Sequence, residues 1–246
     1  DHLNTGGNSI LDLACANNNS INVIDHLIKE YGMNQSSENK NQLILGLACA
    51  GNESVHVIEY LIDAVQWIRI ILGLACKFND SIEVIGWISD QTLQGGSKLS
   101  GNDGNSILGI VCAKNNSINV IEYLIEEHRM PVNHLNNKNH SILDLACANS
   151  NSIKVIEYLL AQAKHCSMDL NRQNTGGNST LGIACANNKS VNVIKYLIEE
   201  CDMDLNHLNN NGTSILGLAC VLNDSVEVIK YLMEIKEIEI GNIVVI

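Results

Sequence analysis

Apolar and polar positions follow one order along this chain, and that order returns seven times. A polar stretch rich in Asn and Gly leads to a phrase of small and branched apolar residues. A short Asn-rich break follows, then a second apolar segment at helical spacing. The phrase reads LDLACA from Leu11, LGLACA from Leu45, LGLACK from Leu72, LGIVCA from Leu108, LDLACA from Leu143, LGIACA from Leu181 and LGLACV from Leu216. In the first copy Leu11, Ala14 and Cys15 lie at i, i+3 and i+4, one face of a short helix. Ser9 stands where its hydroxyl can accept from the first free amides of that helix. Asn17, Asn18 and Asn19 end it, because their side chains compete for backbone hydrogen bonds. Ser20 then caps a second helix with Ile21, Ile24, Leu27 and Ile28 inward. Ser54, Ser81, Ser117, Ser152, Ser190 and Ser225 take the same place in the other copies.

Successive phrases start 34, 27, 36, 35, 38 and 35 residues apart. Helices this short are marginal alone in water, so each pair must be held by its neighbours. A period in this range is that of a solenoid, in which a repeat buries its apolar face only on adjacent repeats. The expected architecture is all-α: one array over residues 1–246, with repeats near 1–34, 35–64, 65–97, 98–132, 133–170, 171–205 and 206–246. No Pro/Gly/Ser-rich linker interrupts it; Pro131 is the one proline. The chain opens in mid-repeat without an initiator Met, which predicts that it continues beyond this sequence.

The polar connections, such as MDLNHLNNNGTS over Met203 to Ser214, have an extended start and a Gly or Asn where a turn needs positive φ. Asn209-Asn210-Asn211-Gly212-Thr213-Ser214-Ile215-Leu216-Gly217-Leu218-Ala219-Cys220, followed by Val228-Ile229-Lys230-Tyr231-Leu232-Met233, resembles the ankyrin-repeat consensus position by position. The resemblance implies stacked antiparallel helix pairs with finger-like loops, no catalysis, no cofactor, and a partner protein held in the concave groove and at the finger tips. It places the variable groove positions at Asn17, Gly51, Phe78, Lys114, Asn149, Asn187 and Leu222, and finger contacts at His2, His134 and His207. Asn133, Asn171 and Asn206 stand where asparaginyl hydroxylases modify many ankyrin proteins. The chain departs from the pattern too. Gly or Asp (Asp12, Gly46, Asp144, Gly217) replaces the consensus His, and the inter-helix loop is one residue longer and usually lacks its Gly. The hydrogen-bond network of that His should then be missing and the array looser. The Asn- and Ile-heavy composition is similar to arrays of large DNA viruses of amoebae, or of amoebal hosts and their bacteria.

The array is irregular where the spacing drops to 27. From Ile62 the chain leaves no room for a finger, and helix should pass almost directly into helix. Trp67 is expected to cover the apolar surface this exposes, and Trp87 to pack where other repeats carry Tyr. Phe78 is either a binding anchor, as aromatic residues at hot spots are, or folds back on the altered junction. The end of the chain, KEIEIGNIVVI from Lys236, alternates like a strand and reads as the start of a further unit or a cap on the last.

Charge and cysteine placement narrow the partners. The net charge of −12 argues against nucleic acid and against an anionic membrane surface. No apolar run has the length to cross a bilayer. Of nine cysteines, seven (Cys15, Cys49, Cys76, Cys112, Cys147, Cys185, Cys220) fill one slot of the repeated phrase. Stacked helices lie about 8–10 Å apart, too far for the Cα separation of about 7 Å that a disulfide allows. That predicts buried thiols in a reducing, cytoplasmic setting, including a host cytoplasm. Zinc-type pairs are absent, and Gly6-Gly7, Gly95-Gly96 and Gly176-Gly177 lack the Lys of a phosphate loop. The functional expectation is a protein–protein interaction scaffold, monomeric or stacked end to end. The alternatives are the recognition arm of a larger enzyme, such as a ubiquitin-ligase adaptor, and a self-stacking structural protein.

Overall fold

Short helices preceded by serines recur in the computed structural model, which describes residues 10–31, 48, 51–65, 79–94, 103–166, 169–170, 172–201 and 203–235. The chain divides into two compact units, Asp1–Leu99 and Ser100–Ile246. The first holds α1 (Ile10–Asn17), α2 (Ile21–Tyr31), α3 (Val55–Val65) and α4 (Ile82–Gln94). The second holds four helix pairs: α5 (Ile107–Lys114) with α6 (Ile118–Glu126), α7 (Ile142–Asn149) with α8 (Ile153–His165), α9 (Thr180–Asn187) with α10 (Val191–Glu199), and α11 (Ile215–Leu222) with α12 (Val226–Glu234). Among the described residues there are only helices, turns and isolated β-bridges.

In the second unit the first helices form one row, α5 on α7, α7 on α9 and α9 on α11, and the second helices form another. The rows share a spine in which Leu108, Val111 and Cys112, then Leu143, Ala146 and Cys147, then Leu181, Ala184 and Cys185 are all buried. Val120, Ile121 and Leu124 and their counterparts Val155, Ile156 and Leu159 close it from the second row. In the first unit α1 packs on α2, α2 on α3 and α3 on α4, around Cys15, Ile24, Ile58, Leu61 and Ile85. The cysteine slot is a core slot at Cys15, Cys112, Cys147 and Cys185, with one correction among the described residues; Cys49 and Cys76 lie outside them. Cys220 is exposed, because its side of α11 is the side that in earlier repeats meets the next first helix.

Ser106, Ser141, Ser179 and Ser214 cap the first helices, each accepting from the amide three residues on. Capping of the second helices is less uniform than expected. Ser81, Ser152 and Ser225 accept such a bond at 3.4 Å, whereas Ser117 and Ser190 make no side-chain cap. What recurs instead is a bond from the serine N–H to the Asn two residues earlier, 2.8 Å at Asn18, Asn52, Asn79, Asn115, Asn188 and Asn223.

Those asparagines do more than break helices. Each sits just beyond a first helix, and Asn115, Asn188 and Asn223 have extended φ between −85° and −99°. The long inter-helix loop thus closes without a left-handed residue, and the family's Gly is not needed there. Asn188 Nδ2 donates to Cys147 O and Ser150 O, both at 2.8 Å. Asn223 does the same to Cys185 O and Asn188 O at 2.8 and 2.7 Å. In the first unit Asn52 donates to Cys15 O and Asn18 O, both at 3.0 Å, and Asn79 to Asn52 O at 3.0 Å. A helix leaves its last carbonyls without intrahelical donors. Here Asn52, Asn79, Asn188 and Asn223 supply such donors to the repeat before them, and all four side chains are buried.

At two of the positions that lack the consensus His, other contacts stand in its place. Where Gly109 replaces the consensus His, a Cβ would lie 3.0 Å from Leu145 Cδ1 of the next repeat, so the missing side chain is filled by a neighbour. Where Asp144 replaces it, a polar bridge persists. Thr180 Oγ1 donates to Asp144 Oδ1 at 2.6 Å across the repeat boundary, and Arg172 approaches Oδ2 at 3.7 Å. Asp144 also completes a capping box with Ser141.

Asn188→Ala leaves two buried carbonyls without donors, each worth about 1–3 kcal/mol. Loss of roughly 3 kcal/mol in urea unfolding is expected. Asn187→Ala next to it, exposed and bonded only within its own helix, should change stability by less than about 0.5 kcal/mol.

Candidate functional site

With the spine and the loops occupied by internal bonds, two outward features are left in the second unit: the ends of the first helices and the fingers. The candidate groove residues fall at one equivalent place. Lys114, Asn149, Asn187 and Leu222 are the last residues of α5, α7, α9 and α11, and all four are exposed. Asn17 ends α1 in the first unit and is exposed as well. The asparagine amides fold back on their helices, Asn17 on Leu13 O, Asn149 on Leu145 O and Asn187 on Ile183 O at 2.8–2.9 Å. Their carbonyl ends consequently face away from the helix. Lys114 Nζ donates to Asn149 Oδ1 at 3.3 Å, linking two neighbouring repeats. Leu222 is 58% exposed beside Val221 at 77%, an apolar contrast to the amides along the row. Phe78, His2, Asn171 and Trp67 lie outside the described residues, as do Lys236–Ile246 and the short junction after Val65.

The fingers are stitched together. Leu135, Gln173 and Leu208 bridge to Ser141, Ser179 and Ser214, closing turns whose positive-φ residues are Asn139, Gly177 and Gly212. Inside each turn one Asn (Asn136, Asn174 or Asn209) accepts two backbone N–H groups through Oδ1. Between turns, backbone bonds run from Asn137 to Asp103 O, Thr175 to Lys138 O and Asn210 to Gly176 O at 2.9–3.1 Å. His134 and His207, expected as finger contacts, are half-buried and serve this stitching. Their Nε2 atoms donate to Gly104 O at 2.9 Å and Gly177 O at 2.7 Å, which puts the ring proton on Nε2. Arg172 replaces His in the finger between them and donates to Asn139 O at 2.7 Å. Asn133 and Asn206 are exposed at finger bases.

A cleft of about 320 Å³ opens between the last two fingers. Leu170, Leu181 and Met203 supply its apolar lining, and Gln173, Thr180, Asp204 and His207 its polar groups. It was not legible from the repeats, because it exists only between two of them. Among the described residues no group of three His, Cys, Asp or Glu is placed to hold a metal, and no helix is long and apolar enough to cross a membrane.

A family described as Ankyrin repeats (3 copies) matches residues 72–174 and 162–242. The chain is an ankyrin-repeat protein. Members of this family generally mediate protein–protein interaction and are typically non-catalytic. No curated protein matches the chain. Among solved structures 340 chains match. One belongs to "Bd0816 Predatory Endopeptidase from Bdellovibrio bacteriovorus in complex with immunity protein Bd3460", with 19% identity, TM-score 0.45, and coverage of 93% of this chain and 99% of that one.

On the second-helix row of this ankyrin protein, tyrosines reach back to acids of the preceding repeat. Tyr60 donates to Asp25 at 2.7 Å, Tyr231 to Glu199 at 2.9 Å and Tyr158 to Glu126 at 3.3 Å. The Asp25 bond, then burial, pushes Tyr60 up to about 12; burial, with the glutamates second, does the same for Tyr158 and Tyr231. The unfolded chain deprotonates first, near 10, so the stability these groups give is complete below pH ~10 and lost towards pH ~12. The thermal midpoint should fall across that interval, with tyrosinate absorbance rising late. A variant carrying Tyr60→Phe, Tyr158→Phe and Tyr231→Phe should show a flatter dependence.

Proposed function

We propose that this chain is a non-catalytic interaction module that binds a partner protein along the row of first-helix ends and the adjoining fingers. One observation carries the reading. Asn17, Lys114, Asn149, Asn187 and Leu222 each stand at the last position of a first helix, exposed and chemically varied from repeat to repeat. Helices and stitched fingers hold this row in place before binding, so association costs little ordering. The apolar end at Leu222 is the anchor, and the amides supply directional bonds around it. By its equivalent position in the repeated phrase, Phe78 is assigned to the same contact, and residues 1–246 form one array in this proposal. The cytoplasm is the setting in which it acts.

The experiment is affinity capture from lysate of a source cell with the full chain, followed by Leu222→Ala, Lys114→Ala and Phe78→Ala. Partner recovery is expected to drop about tenfold for Leu222→Ala, in line with loss of an interface anchor. A variant that keeps its unfolding midpoint and its full partner recovery at all three positions overturns the proposal.

A further inference from the structure

The buried asparagine chain coincides with an acceptor triplet for N-linked glycosylation, Asn-X-Ser with X not proline. The triplets are Asn52-Glu53-Ser54, Asn79-Asp80-Ser81, Asn115-Asn116-Ser117, Asn188-Lys189-Ser190 and Asn223-Asp224-Ser225. The coincidence has a physical origin. The Asn must stand at the end of the first helix and accept from the serine N–H two residues on, and that serine begins the second helix. In these five repeats the geometry that closes the repeat therefore writes the triplet.

In the fold these five side chains are the wrong place for a sugar. Asn52 is 1% exposed, Asn79 3%, Asn115 2%, Asn188 2% and Asn223 7%. The Nδ2 atoms of Asn52, Asn188 and Asn223 each spend both hydrogens on carbonyls of the preceding repeat. Transfer from a lipid-linked oligosaccharide would form a bond from Nδ2 to C1 of the first sugar. The bond from that sugar to the lipid pyrophosphate would break, and one amide proton would leave with the pyrophosphate. A single N–H would remain where two are used, with a glycan where the next loop packs.

We propose that the asparagine chain makes these positions modification sites incompatible with the fold, so that the protein folds only in a compartment without N-linked glycosylation. The inference concerns where the array can form and stands whether or not the first-helix ends are the binding row.

The test directs the full chain into the secretory pathway of cultured cells with an added signal peptide, with and without tunicamycin, beside a cytosolic control. Limited proteolysis separates folded from unfolded material, and peptide mapping locates the glycans. Without tunicamycin, the protease-sensitive fraction is expected to carry glycan at one or more of the five positions, and the resistant fraction to carry none there. Tunicamycin should restore resistance to the level of the cytosolic control, with no substitution needed. A protease-resistant population glycosylated at Asn188 or Asn223 overturns the proposal. So does a secreted chain that folds fully with all five positions unmodified in untreated cells, or one that tunicamycin does not rescue although the cytosolic form is resistant.

Discussion

The end of a short helix is the constraint on which the rest of this structure depends. An eight-residue helix exposes as many terminal carbonyls as it satisfies internally, and here those carbonyls point into the seam between repeats, where water is excluded. The seam can close only if the next repeat brings donors. Asn52, Asn188 and Asn223 each bring two, and the oxygen of the same side chain turns the chain into the next helix through the serine N–H. The Asn-x-Ser recurrence, the extended loop residue and the extra loop position are three consequences of that one requirement. Repeat five shows its tolerance: Ser150 stands in the slot, accepts from the Ser152 N–H and donates to Asn116 Oδ1.

The fingers solve the same problem at the other end of the first helix. Positive φ at Gly104, Asn139, Gly177 and Gly212 lets each turn close, and cross-finger bonds satisfy its outward carbonyls. Gly177 meets the backbone N of Asn210 at what would be 2.6 Å from a Cβ, so glycine there serves approach as well as φ; Gly212 has open space and serves φ alone. His134, Arg172 and His207 place an N–H over the equivalent carbonyl of the preceding finger, twice with an imidazole and once with a guanidinium.

Much of this is legible in the sequence where the information is local. The spacing of Leu, Ala and Cys in the repeated phrase gives the first helices, the serines before it give their starts, and Gly212 after Asn211 gives the finger turn. The place of the candidate row, one residue per repeat at Asn17, Lys114, Asn149, Asn187 and Leu222, follows from the same register. What is not local is not legible. Asn187 and Asn188 are the same residue type in adjacent positions, yet one folds back on its own helix and the other crosses to the neighbouring repeat. Only the direction of the chain after the helix separates them. Likewise Asp144 reads as the loss of a histidine network, and only Thr180, 36 residues away, turns it into a bridge. The histidines of the fingers looked available for contact because the carbonyls that hold them belong to another repeat.

The most direct test is the exchange of side-chain amide hydrogens with solvent, followed by nuclear magnetic resonance on the asparagine Nδ2 groups of the native protein. The account predicts that Asn52, Asn188 and Asn223 exchange slowly, at rates close to those of the core backbone amides, while Asn17, Asn149 and Asn187 exchange as fast as a free amide allows. Equal, rapid exchange in both groups would contradict it, since the seam between repeats would then be open to water.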